Sequence, residues 1–203
     1  MSQFFETIKY HQGEFYLLDY HEERLNETRR KIFGSKDPIR LLEFLHNTPA
    51  DNQIYRCRIS YTDKIEKIEF FTYQLATHKT VHLFKSGNYK YNLKSENRVF
   101  LTEALKEKGG DDVIFLNDNG VQDATYSNLI FSKNRQWYTP KTYLLNGVKR
   151  KFLLNYDRIK EEDIGLNDLA QFEKIAFINA MRDFELVYSF ELKNDEMKLT
   201  LIQ

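Results

Sequence analysis

The sequence predicts an α+β fold, and three observations carry that expectation. Short runs in which apolar and polar residues alternate lie near both ends of the 203-residue chain, at Phe4–Tyr10 and at Phe184–Leu192 and Met197–Ile202, the pattern of half-buried strands. Between them are stretches with apolar residues at three- and four-residue steps, the helical period. Aromatic residues make up 15% of the chain, with thirteen tyrosines and sixteen phenylalanines, which suits a strand-rich core built on buried rings.

Taken in order, Phe4–Tyr10, the turn His11-Gln12-Gly13-Glu14 and the run Phe15–Leu18 read as strand, turn and strand. A helix follows, with Asp19 as its N-cap, a stripe of His21, Leu25, Thr28 and Ile32, and Gly34 as a left-handed C-terminal cap. A second helix is expected from Pro38, carrying Ile39, Leu41, Leu42 and Leu45. Two strands, Ile54–Tyr61 and Ile65–Tyr73, are joined by Thr62-Asp63-Lys64, so the first half is an α+β unit with an antiparallel sheet. Residues 74–92 have no clear period, and a connection is placed at 74–80. Val99, Leu101, Ala104 and Leu105 form a helical stripe ending at Gly109-Gly110, followed by the strand Val113–Leu116 and an Asn119-Gly120 turn. Asn128–Phe131 and Gln136–Tyr138 form a hairpin that Thr139-Pro140 interrupts, and a helix over Val148–Asn155 starts from Gly147. The acidic run Glu161-Glu162-Asp163 reads as solvated loop, and Lys174–Ile178 as a buried strand.

Composition narrows the function. Thirty basic residues balance thirty acidic ones, so no overall field draws the chain to nucleic acid or to an anionic membrane. The lone Cys57 allows neither an intrachain disulfide nor a cysteine-rich metal site, and the histidines have no ligand spacing. No apolar run approaches the roughly eighteen residues that span a bilayer, and the N-terminus lacks the pattern of a signal peptide. A small-molecule ligand and a cytoplasmic location are the expectation.

Chemistry concentrates in three strings: Lys94-Ser95-Glu96-Asn97-Arg98, Val121–Leu129 and Leu145-Asn146-Gly147-Val148-Lys149-Arg150. They supply an amine, an acid and a turn that opens a helix, where unpaired backbone N–H groups favour an anion. Taken alone, Lys94 is a solvated lysine at a helix start. With Phe5-Glu6-Thr7-Ile8, His21-Glu22-Glu23-Arg24-Leu25 and Phe177-Ile178-Asn179-Ala180, the strings occur in an order that resembles the fold-type IV pyridoxal phosphate enzymes, the class IV aminotransferases and aminodeoxychorismate lyases.

That resemblance implies a two-lobed α+β fold of the D-amino acid aminotransferase type, with residues 1–76 as the N-terminal lobe and 77–203 as the lobe that binds pyridoxal 5'-phosphate. It further implies a cofactor between the lobes and a homodimer. Lys94 corresponds to the lysine that forms the Schiff base and moves protons at the substrate carbon, a role that requires its amine pKa to be lowered by burial or a nearby cation such as Arg98. Asp123 stands where the family has a glutamate paired with the pyridine nitrogen; being one methylene shorter, it either reaches the ring or closes its own turn. Ser127 and Asn128 organise the strand behind the cofactor. The phosphate site implied by the resemblance draws on the Arg24 guanidinium, on backbone donors of Gly147, Val148 and Lys149, and on Asn179 and Ala180. Arg24 has a plainer reading as a helix arginine paired with Glu23 or Glu27, and Lys149 replaces the threonine common in relatives.

His21 reads as a packing residue and Cys57 as a core thiol, while Arg56 and Arg58 are candidates for an acidic substrate. Family members usually carry a further strand before the Phe-Glu-Thr run, so the chain resembles a form shortened at its N-terminus. The strings Lys-x-x-Asn-Arg, Leu-Asn-Gly-Val and Ile-Asn-Ala-Met resemble the lyases more than the branched-chain or D-amino acid aminotransferases. The expected reaction is release of p-aminobenzoate and pyruvate from 4-amino-4-deoxychorismate. Amino transfer, or cofactor binding without catalysis, remain the alternatives.

Overall fold

The structure, a computed structural model, describes residues 3–203. The chain forms two compact units, one of the residues up to Leu75 together with Leu93–Asn97, the other of Ala76–Asn92 and Arg98–Gln203.

In the first unit the described residues build a four-stranded antiparallel sheet from β1 (Phe4–His11), β2 (Glu14–Phe15), β3 (Tyr55–Tyr61) and β4 (Ile65–Thr72), in the order β2-β1-β3-β4. Gln12 and Gly13 both take positive φ, as a tight hairpin turn between right-twisted strands requires. The second strand is shorter than its apolar run suggests. Leu17 turns left-handed (φ 55°) and becomes the N-cap of helix α1 (Leu18–Phe33), so Asp19 lies in the first turn, where its charge suits the helix dipole, and does not cap. Gly34 does close α1 in the left-handed conformation (φ 71°). The expected helix after Pro38 shrinks to one 3-10 turn, Leu41–Glu43. Side chains of α1 explain this: Asn26 bonds both the N–H and the carbonyl of Ile39, and Glu22 accepts the Leu41 N–H, taking backbone groups that a helix would use for itself. Phe4, Ile8, Leu25, Leu41, Ile59 and Tyr61 form the core.

The segment Leu93–Asn97, which the sequence groups with the second half, packs in this first unit. The Phe5 N–H donates to the Lys94 carbonyl (3.1 Å) and the Glu96 N–H to the Gln3 carbonyl (2.9 Å), with a bridge between Phe4 and Ser95. Lys94 is thus fastened to β1 by main-chain bonds.

In the second unit the described residues form a nine-stranded mixed sheet, running in space β10 (Lys160–Glu162), β9 (Gln136–Pro140), β8 (Asn128–Lys133), β11 (Lys174–Ile178), β12 (Val187–Lys193), β13 (Glu196–Leu201), β5 (Thr80–Lys85), β6 (Asp112–Asn117) and β7 (Gly120–Ala124). Helix α2 spans Val99–Lys108 and α3 spans Val148–Asn155. Two strands depart from the sequence reading. β5 falls in the stretch without a clear period, yet it pairs parallel with β6 and antiparallel with β13, burying Val81 and Leu83. The acidic run is no free loop: β10 pairs parallel with β9 through Pro140, and Glu161, Glu162 and Asp163 meet Arg150, Lys133 and Lys141. An edge strand studded with charge resists pairing with other chains. Val81, Ile114, Leu129, Phe131, Ile175, Phe177 and Tyr188 lie in the main core. Among the described residues no helix is long and apolar enough to cross a membrane.

Candidate active site

Phe4, Glu6, Ile8 and Tyr10 alternate along β1 and are all buried, so the strand turns an acid inward among apolar side chains. Glu6 is fully buried, and two partners from α1 make this tolerable. Arg24 forks onto it, Nε to Oε1 at 2.8 Å and Nη2 to Oε2 at 2.5 Å. His21, itself fully buried, places Nδ1 2.6 Å from Oε2. Residues 21 and 24 are three apart, hence on one face of α1.

Burial alone would raise the Glu6 carboxyl, but the Arg24 charge and the hydrogen bonds from His21 and Arg24 outweigh it and hold the group at about 2. Glu6 is therefore ionised and can only accept, which requires His21 to carry its proton on Nδ1. Burial pushes the imidazole pKa down, against the pull of Glu6 and with the Arg24 and Lys94 charges acting in the same direction. His21 is thus neutral, and its Nε2 is buried without a hydrogen-bond partner. Arg24 thus reaches from its helix to the buried acid on β1.

Lys94 is half-buried, with Nζ 4.8 Å from the centre of the Phe5 ring. The guanidinium of Arg58 lies 4.1 Å from the same ring centre and donates to Glu96 at 2.6 Å, and the Ser60 hydroxyl donates to Glu96 at 3.1 Å. Glu96 therefore ties the lysine segment to β3. Arg56 stacks on Phe71 at 5.0 Å. Burial pushes the Cys57 thiol up to about 12, so it is a packed core thiol and not a nucleophile at neutral pH.

The second unit holds the acid and the helix start. Asp123 on β7 is buried, and its oxygens accept from Asn128 Nδ2 (2.7 Å), the Leu144 N–H (2.9 Å) and the Leu145 N–H (2.8 Å). It thus ties down the loop that leads to α3. A carboxylate offers about four acceptor positions, so three bonds leave room for one more donor. Burial raises this carboxyl to about 6, against the hydrogen bonds from Leu145, Asn128 and Leu144 and the charge of Arg150. A cation placed beside it would favour the ionised form further.

Asn128 joins the acid to the loop that leads into α3, for its Nδ2 also donates to the Leu145 carbonyl at 2.9 Å. A Cβ on Gly147 would lie 2.1 Å from Asn128 Oδ1, so glycine is demanded here by close approach and not by φ, which is an ordinary −67°. Gly147 is the N-cap of α3 and no side chain caps the helix, which leaves the N–H groups of its first turn for another acceptor. Gly147→Ala is accordingly expected to cost about 1–3 kcal/mol through forced displacement of Asn128, read as a lower unfolding midpoint, together with weaker binding of any anion at the turn.

The side chains of the remaining residues named from sequence are engaged within the fold. The Lys149 ammonium is committed to Asp183 at 2.9 Å, which leaves its backbone for an anion. The Asn179 side chain is fully occupied: Oδ1 accepts from the Met181 and Arg182 N–H groups, and Nδ2 donates to the Tyr126 carbonyl and Ser127 Oγ. Asn179 therefore shapes the Asn179–Arg182 turn, with half-buried Ala180 at its corner. Arg98 lies in this second unit, donating to the Thr125 carbonyl at 2.5 Å and stacking on Tyr126 at 4.6 Å. Sequence reasoning gave no part to Glu6 beyond its place in a motif; an acid on the inward face of a strand was the available signal.

Comparison with known proteins places these features in a family. Residues 3–187 match the family described as amino-transferase class IV. A protein of Haemophilus somnus 129PT, provisionally named a 4-amino-4-deoxychorismate lyase, is 31% identical; its crystal structure superimposes with a TM-score of 0.79 over 89% of this chain and 97% of its own. A Haemophilus influenzae protein named only as uncharacterized is 32% identical over 89% of this chain and 98% of its own length. A Schizosaccharomyces pombe protein provisionally named an aminodeoxychorismate lyase is 29% identical over 89% of this chain and 87% of its length. With the family match spanning nearly the whole chain and the fold shared with such a relative, this protein belongs to the class IV aminotransferases, a family of enzymes that depend on pyridoxal phosphate.

Proposed function

We propose that this protein binds pyridoxal 5'-phosphate and cleaves 4-amino-4-deoxychorismate to p-aminobenzoate and pyruvate. The observation that carries this reading is the likeness to the Haemophilus somnus protein, which this chain matches over 97% of that chain at 31% identity, together with the amine, the acid and the uncapped helix start described above. The chemistry of the groups, taken unit by unit, suits the cofactor: in the first, Lys94 offers a primary amine for its carbonyl carbon and Arg24 is a guanidinium beside Glu6; in the second, Asp123 offers one spare acceptor for its ring nitrogen and the first turn of α3 offers N–H groups for its phosphate. Bound pyridoxal phosphate supplies an electron sink for the carbon that loses a proton.

In this reading, Lys94 takes the proton from the amine-bearing ring carbon and returns a proton as the three-carbon fragment departs. Atoms balance without an oxidant or a second substrate, since one molecule becomes an aromatic amine and pyruvate. Asp123 holds the ring nitrogen protonated by accepting its hydrogen bond. Gly147, Val148 and Lys149 anchor the phosphate through the backbone, and Asn179 and Ala180 shape the neighbouring turn. By kinship we also infer a homodimer acting in the cytoplasm on a small-molecule substrate.

The test supplies purified protein, loaded with pyridoxal phosphate, with 4-amino-4-deoxychorismate and follows p-aminobenzoate. Formation of both products in equal amounts is the expected result. Exchange of an amino group between an amino acid and 2-oxoglutarate or pyruvate, with no p-aminobenzoate formed, would make the protein an aminotransferase instead.

A further inference from the structure

Arg182 closes the Asn179–Arg182 turn of the second unit, where the two residues exchange backbone hydrogen bonds of 3.2 Å. The residue is 8% exposed, and its Nε and Nη1 are buried with no hydrogen-bond partner. A guanidinium is always charged and has donors only, so a buried one without an acceptor is a group built for something outside its own fold. The neighbouring acid is not bonded to it: Asp183 gives Oδ2 to Lys149, and its Oδ1 is buried without a partner. That ion pair also ties the end of the 179–183 segment to the first turn of α3, the uncapped helix start.

A second, independent observation lies across the neighbouring turn. Asn179 grips Tyr126 and Ser127, and on Tyr126 stacks Arg98, whose Nε is likewise buried without a partner, as is the Thr125 hydroxyl. Among the described residues neither Arg98 nor Arg182 forms an ion pair. The segments around residues 125–127 and 179–183 thus gather two guanidinium groups with buried unused donors, against one unused acceptor, Asp183 Oδ1.

We propose that Arg182 anchors an oxyanion subsite of the second unit, receiving a carboxylate or phosphate group from a bound small molecule on its Nε and Nη1 donors. The sources of that oxyanion, the substrate carboxylate or the cofactor phosphate, rest on the proposed function; the anion chemistry rests on Arg182 itself. Because Asn179 fixes the backbone of the turn, the guanidinium is held in place before the anion arrives, and little ordering is required on binding.

The experiment compares full-length wild type, R182Q and R182K by equilibrium dialysis against four probes: pyridoxal phosphate, pyridoxal, p-aminobenzoate and inorganic phosphate. Glutamine removes the charge, and lysine keeps the charge without the planar fork. R182Q is expected to weaken at least one anionic probe tenfold or more, with R182K intermediate and pyridoxal unchanged. Weakening of pyridoxal phosphate and inorganic phosphate identifies the phosphate as the source, and weakening of p-aminobenzoate alone identifies the carboxylate. A folded R182Q within twofold of wild type for every anion overturns the subsite, as does a wild type that binds none of them. Should R182Q fail to fold by circular dichroism, R182K decides: a threefold or greater loss supports the subsite and no loss overturns it. A wild type that takes up no pyridoxal phosphate defeats the cofactor reading, while p-aminobenzoate and inorganic phosphate still decide the role of Arg182.

Discussion

Lys94→Ala is expected to lower turnover of the cofactor-loaded protein by at least about 10²–10⁴-fold, the contribution that a positioned proton-transfer group makes by itself, and to abolish the visible colour of lysine-bound cofactor. The fold should survive. The ties that hold this segment in the first unit include main-chain bonds, from the Phe5 N–H to the Lys94 carbonyl and from the Glu96 N–H to the Gln3 carbonyl, and the Glu96 side-chain bonds to Arg58 and Ser60, and alanine at position 94 keeps them all. The side chain adds its cation–π contact to Phe5 at 4.8 Å, a contact of about 0.5–1 kcal/mol at a partly exposed site. Unfolding midpoint and turnover should therefore part company in this variant. Unchanged turnover in K94A would remove the lysine from the chemistry.

Glu6→Gln is expected to destabilise the protein by about 3–5 kcal/mol, the cost of removing one partner from a buried ion pair. Gln offers one acceptor where Glu6 offers two oxygens to Arg24 and His21, so the guanidinium and the Nδ1–H can no longer both be satisfied inside a dry core. The same group predicts an acid limit. Its folded pKa of about 2 lies below the ordinary 4.5, so its contribution is fully present above pH 4.5 and is lost as pH falls toward 2, by about 3 kcal/mol in all. Chemical denaturation of wild type and E6Q between pH 7 and pH 3 checks both statements, because the difference between the two should shrink as the pH falls. A constant difference would show that the Glu6 charge contributes nothing.

Much of the candidate site was legible because the proposed chemistry needs particular residue types at fixed separations along the chain. An amine in Lys-x-x-Asn-Arg and a glycine opening a helix at 147 can be read without a fold, and α3 begins at that glycine. What escaped were positions whose meaning depends on a partner distant in sequence. Asn26 and Glu22 suppress a helix at residues 39–41 by bonding its backbone, and no local pattern around Pro38 announces that. β5 lacked a clear signal because a strand flanked on both edges by β6 and β13 is specified by its neighbours as much as by its own alternation. The acidic run from Glu161 resembled a loop until Arg150, Lys133 and Lys141 were brought to it.

The sequence by itself determined the α+β class and the family, since hydrophobic period and motif order are properties of the chain alone. Only the tertiary structure decided what each charged group does. It gave Arg24 to Glu6, Lys149 to Asp183 and Asp123 to the loop at Leu144 and Leu145, and left Arg182 with two buried donors unmatched. The physical reason is that a charge has no fixed role until burial removes water and leaves it with whichever partner the fold supplies.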